Sequence, residues 1–246
     1  MQPSQLSLSS SILTHSVAVV TGGSRGIGFA VARKLSSMGA SVIITGRDQA
    51  QLQQAAQELT DDHCRVEGLR CDVCSLPDTA ALAAYLRQRY AHVDILVNNA
   101  GIGGPAGALH ELQPQDWDAI FNTNLRGVYY MVRQVAPMMI AAGSGHIINI
   151  SSLAGKNPLP RGAAYSASKW GLNGLTYSIA EELRTHNIRV SLICPGSVET
   201  RFSPHSGKDP KKMLQPGDIA HAVAMLVRQQ PQSFISEISM RPTQKP

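Results

Sequence analysis

The sequence predicts an α/β protein built on a single doubly wound parallel sheet with helices on both faces. Three observations predict it. Short runs of Val, Ile and Leu recur along the chain, as expected of strands buried on both faces. Each run is followed by a longer segment with helical spacing of its apolar residues. No linker-like stretch or solenoid-period repeat interrupts the alternation, so the 246 residues read as one large domain.

The elements follow in order. Val17-Ala-Val-Val-Thr21 is a short buried strand, and a glycine-rich turn then opens a helix through about residue 38. A second strand spans 41–45, followed by a polar helix over 49–60. A third covers 66–71, with a helix over 78–90. The fourth, 94–98, leads into one long helix over 116–142. The fifth strand, 146–150, precedes a helix over 163–186, and the sixth spans 188–193. A last helix over 218–228 leads to an edge strand over 234–240. Residues 1–15 read as a flexible polar leader and 16–246 as the domain. In such a sheet a ligand is expected outside the carboxyl ends of the strands.

Composition narrows the function classes. The net charge is +5, but the 22 basic residues are scattered, and the densest cluster is only Lys208, Lys211 and Lys212. Nucleic-acid binders concentrate their charge and interleave aromatics; aromatics are 5% here, so no nucleic-acid partner is expected. A basic balance equally suits a phosphate-bearing cofactor or substrate. Cys64, Cys71, Cys74 and Cys194 do not form a disulfide framework in a chain of this size. The Cys71-x-x-Cys74 pair has no second pair and no His-x-x-x-His, so half-buried thiols are favoured over a metal or redox centre. No stretch approaches the roughly 20 apolar residues of a membrane span. The leader lacks the basic start and apolar centre of a secretory signal, and cytoplasmic residence is the expectation.

The chemistry starts at Thr21-Gly22-Gly23-Ser24-Arg25-Gly26-Ile27-Gly28. Glycines let the backbone approach a pyrophosphate, and the following helix aims its amides and positive dipole end at that charge. The spacing T-G-x-x-x-G-x-G, between first strand and first helix, resembles that of the short-chain dehydrogenases/reductases. After the second strand the chain reads Gly46-Arg47-Asp48. By this resemblance the acidic residue of an NAD enzyme falls on Gly46, where glycine leaves room for a 2′-phosphate. Arg47 and Arg25 can then bind it, which predicts NADP(H). In the alternative, both arginines are solvated and Asp48 holds an unmodified ribose. Asp72-Val73 matches the family's adenine-contacting pair, and Asn98-Asn99-Ala100-Gly101 its N-N-A-G turn.

Tyr165 and Lys169 lie one helical turn apart, on the same face. A phenol near pKa 10 is a weak acid-base catalyst at neutral pH, and a nearby ammonium is expected to lower that value. Ser152, thirteen positions before Tyr165, matches the family's serine. A hydroxyl there can hydrogen-bond a substrate oxygen as charge develops, whereas Ser151 better fits a capping role. Asn124 matches a fourth catalytic position, which in the family holds a water linking the lysine to solvent. Pro195-Gly196, with Val198 and Thr200, resembles the segment that contacts the nicotinamide.

The resemblance spans residues 17–200 in unbroken order. It implies a Rossmann-type fold and an enzyme that moves a hydride between NADP(H) and a small-molecule carbonyl or alcohol. Tyr165 is the implied proton donor, Ser152 polarises the oxygen, Lys169 binds the nicotinamide ribose, and Asn124 closes the relay. Lys169 and Tyr165 thus serve the cofactor as well as the reaction. The best named candidate is 3-oxoacyl-[acyl-carrier-protein] reduction, an acyl thioester being the substrate. Alternatives are reduction or oxidation of small polyols, sugars, diketones or hydroxy acids, and, outside enzymes, a cofactor-sensing regulator. A short lid at about 201–215, containing Pro204, Gly207 and Pro210, and a C-terminus without the V-D-G-G exit lean away from the thioester. By resemblance the two long helices from Asp116 and Ala163 pair copies into a dimer or tetramer.

Overall fold

The computed structural model describes residues 12–60, 65–202 and 209–246. Residues 1–11 of the leader, Cys64, Lys208 and the 203–208 part of the lid lie outside the described residues. The elements are β1 (Val17–Thr21), α1 (Gly26–Ser37), β2 (Ser41–Gly46), α2 (Gln49–Leu59), β3 (Val66–Arg70), α3 (Leu76–Arg89) and β4 (Ile95–Asn98). They continue with α4 (Pro114–Phe121), α5 (Gly127–Ala142), β5 (Gly145–Ile150), α6 (Ala163–Arg184), β6 (Ile188–Pro195), α7 (Pro216–Val227) and β7 (Glu237–Met240).

The seven strands form one sheet in the order β3-β2-β1-β4-β5-β6-β7, every neighbouring pair parallel. Alternate side chains of each strand face opposite sides. Ala18 and Val20 of β1 therefore join Val31, Leu35, Ile219 and Val223 of α1 and α7. Val17 and Val19 join Leu82, Leu86, Met131, Val135 and Leu183 of α3, α5 and α6. Strand order reverses between β1 and β4, and the crevice there opens at the carboxyl ends of both.

Four differences from the expected elements have local causes. The single helix expected over 116–142 is interrupted by a π-helical turn, Asn122–Arg126, where Gly127 N–H reaches back to the Asn122 carbonyl. The expected edge strand over 234–240 is confined to Glu237–Met240. Ile235 N–H donates instead to Gln229 Oε1 at 2.6 Å, and its carbonyl accepts from Ser191 Oγ, also at 2.6 Å. α3 starts earlier than expected, because Ser75 caps it by accepting from Asp78 N–H at 3.2 Å, with proline tolerated in the first turn. The end of the leader is not loose: Leu13 is buried in the core beside α1, and its N–H donates to the Met38 carbonyl at 2.9 Å.

Candidate active site

β1 delivers Thr21 to the carboxyl edge of the sheet, where the chain must turn sharply into α1. Gly22 and Gly26 hold φ of +65° and +57°, which side chains with a Cβ rarely adopt. A Cβ on Gly28 would collide with the Gly22 carbonyl and crowd the Asn99 amide. Thr21 Oγ1 accepts from the N–H groups of Asn99 and Ala100, each at 3.0 Å. Asn99 Nδ2 donates back to the carbonyls of Thr21 and Gly22, at 2.9 and 3.1 Å. The turn is thus locked to the exit of β4. α1 has no side-chain N-cap and no acid in its first turn, so its amides and dipole face outward, ready for an anion.

The structure separates the two readings of Gly46-Arg47-Asp48. Asp48 is the N-cap of α2: Oδ1 accepts from Gln51 N–H at 3.1 Å and Oδ2 from Gln51 Nε2 at 2.7 Å. Both carboxylate oxygens are engaged within the helix end. Arg47 and Arg25 are exposed and carry no carboxylate partner among the described residues. The residues present fit a phosphate better than a free ribose hydroxyl.

A cavity of about 1730 Å³ runs along the carboxyl ends of the strands. Of the expected cofactor contacts it is lined by Ser24, Arg25, Gly26, Ile27, Asn99, Ala100, Gly101, Pro195, Gly196, Val198 and Thr200, and of the catalytic set by Ser152, Tyr165 and Lys169. Gly22 and Gly28 shape the turn behind it. Arg47, Asp72 and Val73 do not line it. Asp72 Oδ1 accepts from Cys74 N–H at 2.9 Å, and Val73 is buried against Gly127. The C-terminal residues Arg241, Pro242, Gln244, Lys245 and Pro246 also line the cavity, which the sequence did not suggest. β7 pairs with β6 and brings them there: Gly196 N–H donates to the Met240 carbonyl at 2.9 Å.

Ser152 and Tyr165 are held at a fixed spacing by three hydrogen bonds of α6, two with the short 3-10 turn Leu153–Gly155 that follows β5 and one with Ser151 just before it. Ser166 Oγ donates to the Ala154 carbonyl at 2.7 Å and Asn173 Nδ2 to the Gly155 carbonyl at 2.8 Å. Ser151 Oγ donates to Asn173 Oδ1 at 2.6 Å. The capping role expected of Ser151 belongs instead to Ser152. Ser152 is the cap of the 3-10 turn, accepting from Ala154 N–H at 3.0 Å, while its hydroxyl also faces the cavity. Ser151 is buried and ties β5 to α6. Ser166 and Asn173 were not singled out from sequence; a Ser or Asn one turn from Tyr165 or Lys169 is a weak signal.

Asn124 lies on the π-turn and is fully buried. Its Nδ2 donates to the Ile102 carbonyl at 2.9 Å and to Ser168 Oγ at 3.0 Å, and its Oδ1 accepts from Ile102 N–H at 2.9 Å. One lone pair of Oδ1 is left. Asn124 and Lys169 converge on Gly101, where a Cβ would stand 3.3 Å from Oδ1 and 3.8 Å from Nζ.

Lys169 is buried and donates to the Ile150 carbonyl at 3.0 Å, with Nζ 5.8 Å from the centre of the Tyr165 ring. Burial brings its pKa down to about 8. Burial raises that of Tyr165, and the Ser152 hydroxyl opposes the rise. The expected lowering of the phenol by the ammonium is therefore corrected: desolvation drives both groups toward their neutral forms.

The chain matches the family model described as short chain dehydrogenase over residues 16–211. An uncharacterized oxidoreductase of Staphylococcus saprophyticus is 35% identical over 231 residues, 94% of this chain and 98% of the relative. A metagenomic short-chain oxidoreductase solved in complex with NADP is 50% identical with a TM-score of 0.85, covering 95% of this chain and 99% of that one. A variant of the actinorhodin polyketide ketoreductase solved with NADPH is 34% identical with a TM-score of 0.83, covering 92% and 95%. With the glycine turn, the serine, tyrosine and lysine in one cavity, and these likenesses over nearly its whole length, the chain belongs to the short-chain dehydrogenase/reductase family.

Proposed function

We propose that the protein is an NADP(H)-dependent reductase of 3-oxo compounds, a 3-oxoacyl thioester being the named candidate. The observation that carries this reading is the convergence of Ser152, Tyr165 and Lys169 on one cavity at the carboxyl ends of the strands, with Lys169 Nζ 5.8 Å from the centre of the Tyr165 ring. NADPH, when bound, supplies the hydride for the carbonyl carbon; the protein supplies geometry and electrostatics. The Gly22–Gly28 turn and the α1 N-terminus hold the pyrophosphate, and Arg25 and Arg47 hold the 2′-phosphate. Asp72 and Val73, outside the cavity lining, back the adenine end by the family resemblance, and Pro195, Gly196, Val198 and Thr200 bind the nicotinamide end.

Ser152 Oγ donates to the substrate oxygen, and Tyr165 protonates it as negative charge develops. Lys169 binds the nicotinamide ribose and, with a pKa near 8, is poised to pass a proton toward the phenol. The remaining lone pair of Asn124 Oδ1, across Gly101 from Nζ, suits a water that reloads Lys169. Asn124 also positions Tyr165 through Ser168, whose Oγ donates to the Tyr165 carbonyl at 2.7 Å.

The decisive experiment mixes the protein with NADPH or NADH and a panel of 3-oxoacyl thioesters, oxo acids, diketones and sugars. Loss of reduced-nicotinamide absorbance with 3-oxo compounds and NADPH is the expected result. Turnover of sugars alone would move the substrate class, and faster reaction with NADH would sink the roles of Arg25 and Arg47. The enzyme works in the cytoplasm as a homo-oligomer on this reading. Trp117, Tyr129 and Ile140 on α4 and α5, and Trp170 and Tyr177 on α6, are large exposed apolar groups that suit contact with a second copy. Light scattering of the purified chain tests this, a monomer being the result against it.

A further inference from the structure

The charge of the cavity exceeds what the cofactor uses. Among the described residues its charged lining side chains are those of Arg25, Arg161, Lys169, Arg201, Arg241 and Lys245, against one acidic side chain, Glu58. Glu58 is already paired with Arg33 at 2.8 Å. Arg25 serves the 2′-phosphate and Lys169 the reaction, but Arg161 and Arg201 lie at the substrate end and have no such task. Arg161 is four positions before Tyr165. Arg201 directly precedes Phe202, whose ring centre is 5.8 Å from that of Tyr165. Neither guanidinium has a carboxylate partner among the described residues, and the sequence of 203–208 contains no acid.

Arg161 is also held in an unfavourable backbone conformation, with φ of +61°. Left-handed non-glycine residues are costly and cluster at ligand sites, more so for long side chains than for Asn or Asp. Of the three such residues among those described, Asn187 is of the tolerant type, whereas Arg161 is not. The strain is maintained by the fold: the Arg161 carbonyl accepts from Gly107 N–H at 3.0 Å, joining the two loops that border the substrate end. The same cavity is also lined by the apolar side chains of Pro105, Leu153, Leu159, Phe202 and Met213.

We infer that Arg161 and Arg201 form a carboxylate clamp beside Tyr165, and that the preferred substrates are compact oxo acids carrying the anion a few bonds from the carbonyl. The inference rests on the reductase reading above, keeps its 3-oxo chemistry, and replaces its named thioester candidate with a free oxo acid. A planar guanidinium grips a carboxylate through two parallel hydrogen bonds, which fixes the carbonyl as well as holding the acid. A thioester carries its charge on the distant carrier, out of reach of residues this near Tyr165. The reaction balances as oxo acid plus NADPH plus a proton, giving hydroxy acid plus NADP+. The hydride goes to carbon and the proton to oxygen from Tyr165.

The test compares acetoacetate, its methyl ester and acetoacetyl-CoA as substrates with NADPH. The expected result is a kcat/KM for the acid at least ten times that for the ester or the thioester. Arg161→Gln and Arg201→Gln should each cut the acid-to-ester ratio ten-fold or more, mainly through the KM of the acid, and Arg161→Lys should restore part of it. A role of Arg161 in folding alone would not move that ratio, because its strained backbone and carbonyl bond remain in every variant. Equal use of acid and ester, preference for acetoacetyl-CoA, or a ratio that survives both substitutions overturns the clamp. Inertness toward every carbonyl sinks the reductase reading instead. In that event calorimetry of acetoacetate with the NADP+ complex decides: binding lost in Arg161→Gln keeps the clamp, and no binding by the unmodified protein removes it.

Discussion

The two ends of the cavity are built by opposite means. At the cofactor end, glycines and backbone groups are locked by partners far away in sequence: Thr21 is tied to Asn99 and Ala100 across 78 and 79 positions. Apart from the exposed Arg25 and Arg47, the side chains that matter there are short and largely satisfied inside the protein. At the substrate end the walls are long side chains on connecting loops, many of them exposed, among them Leu159, Arg161, Arg201 and Phe202. Loops carry function because a rigid frame lets them vary without unfolding it. One end therefore fixes a chemistry common to many substrates, and the other selects among them.

The strongest way to break this division is at the point where the ends meet. Tyr165→Phe removes the proposed proton donor and leaves the packing of the ring, so kcat should fall about 100- to 10,000-fold. NADPH binding, read by its fluorescence, should persist. Full activity in the variant would remove Tyr165 from the mechanism.

The buried neighbour of Tyr165 can be examined by pH without substrate. Lys169 titrates at about 8 in the folded protein against 10.5 for an ordinary lysine. Between these values the unfolded chain binds more protons, so this group's contribution to stability rises with pH through that window and is lost as pH falls through about 8. The Cys71 thiol, pushed up to about 12 by burial, slopes the other way. The comparison must therefore be a difference between the unmodified protein and Lys169→Met. Urea midpoints from pH 8 to 10.5 should show a less positive slope in the variant. Parallel slopes would mean that Lys169 titrates as if exposed.

Arg47→Ala tests whether the cofactor end reads the 2′-phosphate. Hydrogen bonds to charged groups contribute about 1.5–3 kcal/mol, so the NADPH Kd should rise roughly 10- to 150-fold, with little change for NADH. An equal loss for both cofactors would assign Arg47 to the shared part of the nucleotide. Thr21→Val asks how firmly the frame is tied. The isosteric change strands the N–H groups of Asn99 and Ala100 and should cost about 1–3 kcal/mol in urea unfolding. An unchanged midpoint would show that the turn does not depend on this tie.

The same contrast explains which parts were legible in the sequence. Strand runs, their helices and the glycine spacing are local patterns, and the sheet followed from them. Tyr165, Lys169 and Ser152 were visible because each has a fixed interval from the others. The π-turn was not: Asn122-Thr-Asn-Leu-Arg126 has nothing in its periodicity to separate it from the flanking helix. It accompanies a tertiary contact, the clamp of Asn124 on the Ile102 backbone. The capping role fell to Ser152 rather than Ser151 because the 3-10 turn starts at Leu153, a detail of where β5 stops. The tail from Arg241 to Pro246 reaches the cavity only because β7 adds to β6, and a tail of six residues carries no pattern of its own.

The smallest expected effect bears on the sharpest ambiguity of the sequence, the acid one residue beyond Arg47. An acid near the end of the second strand is what an NAD enzyme uses to bind the ribose, and Asp48 could be mistaken for it. In the structure both of its oxygens hold the first turn of α2, through the backbone and side chain of Gln51. Asp48→Ala should therefore cost about 0.5–2 kcal/mol of stability, the range for a lost N-cap. The ratio of NADPH to NADH affinity should stay as it was. A selective loss of NADH binding in the variant would mean that the carboxylate leaves the helix to meet a ribose. The cofactor end would then be less rigid than its hydrogen bonds describe, and the contrast between the two ends would weaken where it is now strongest.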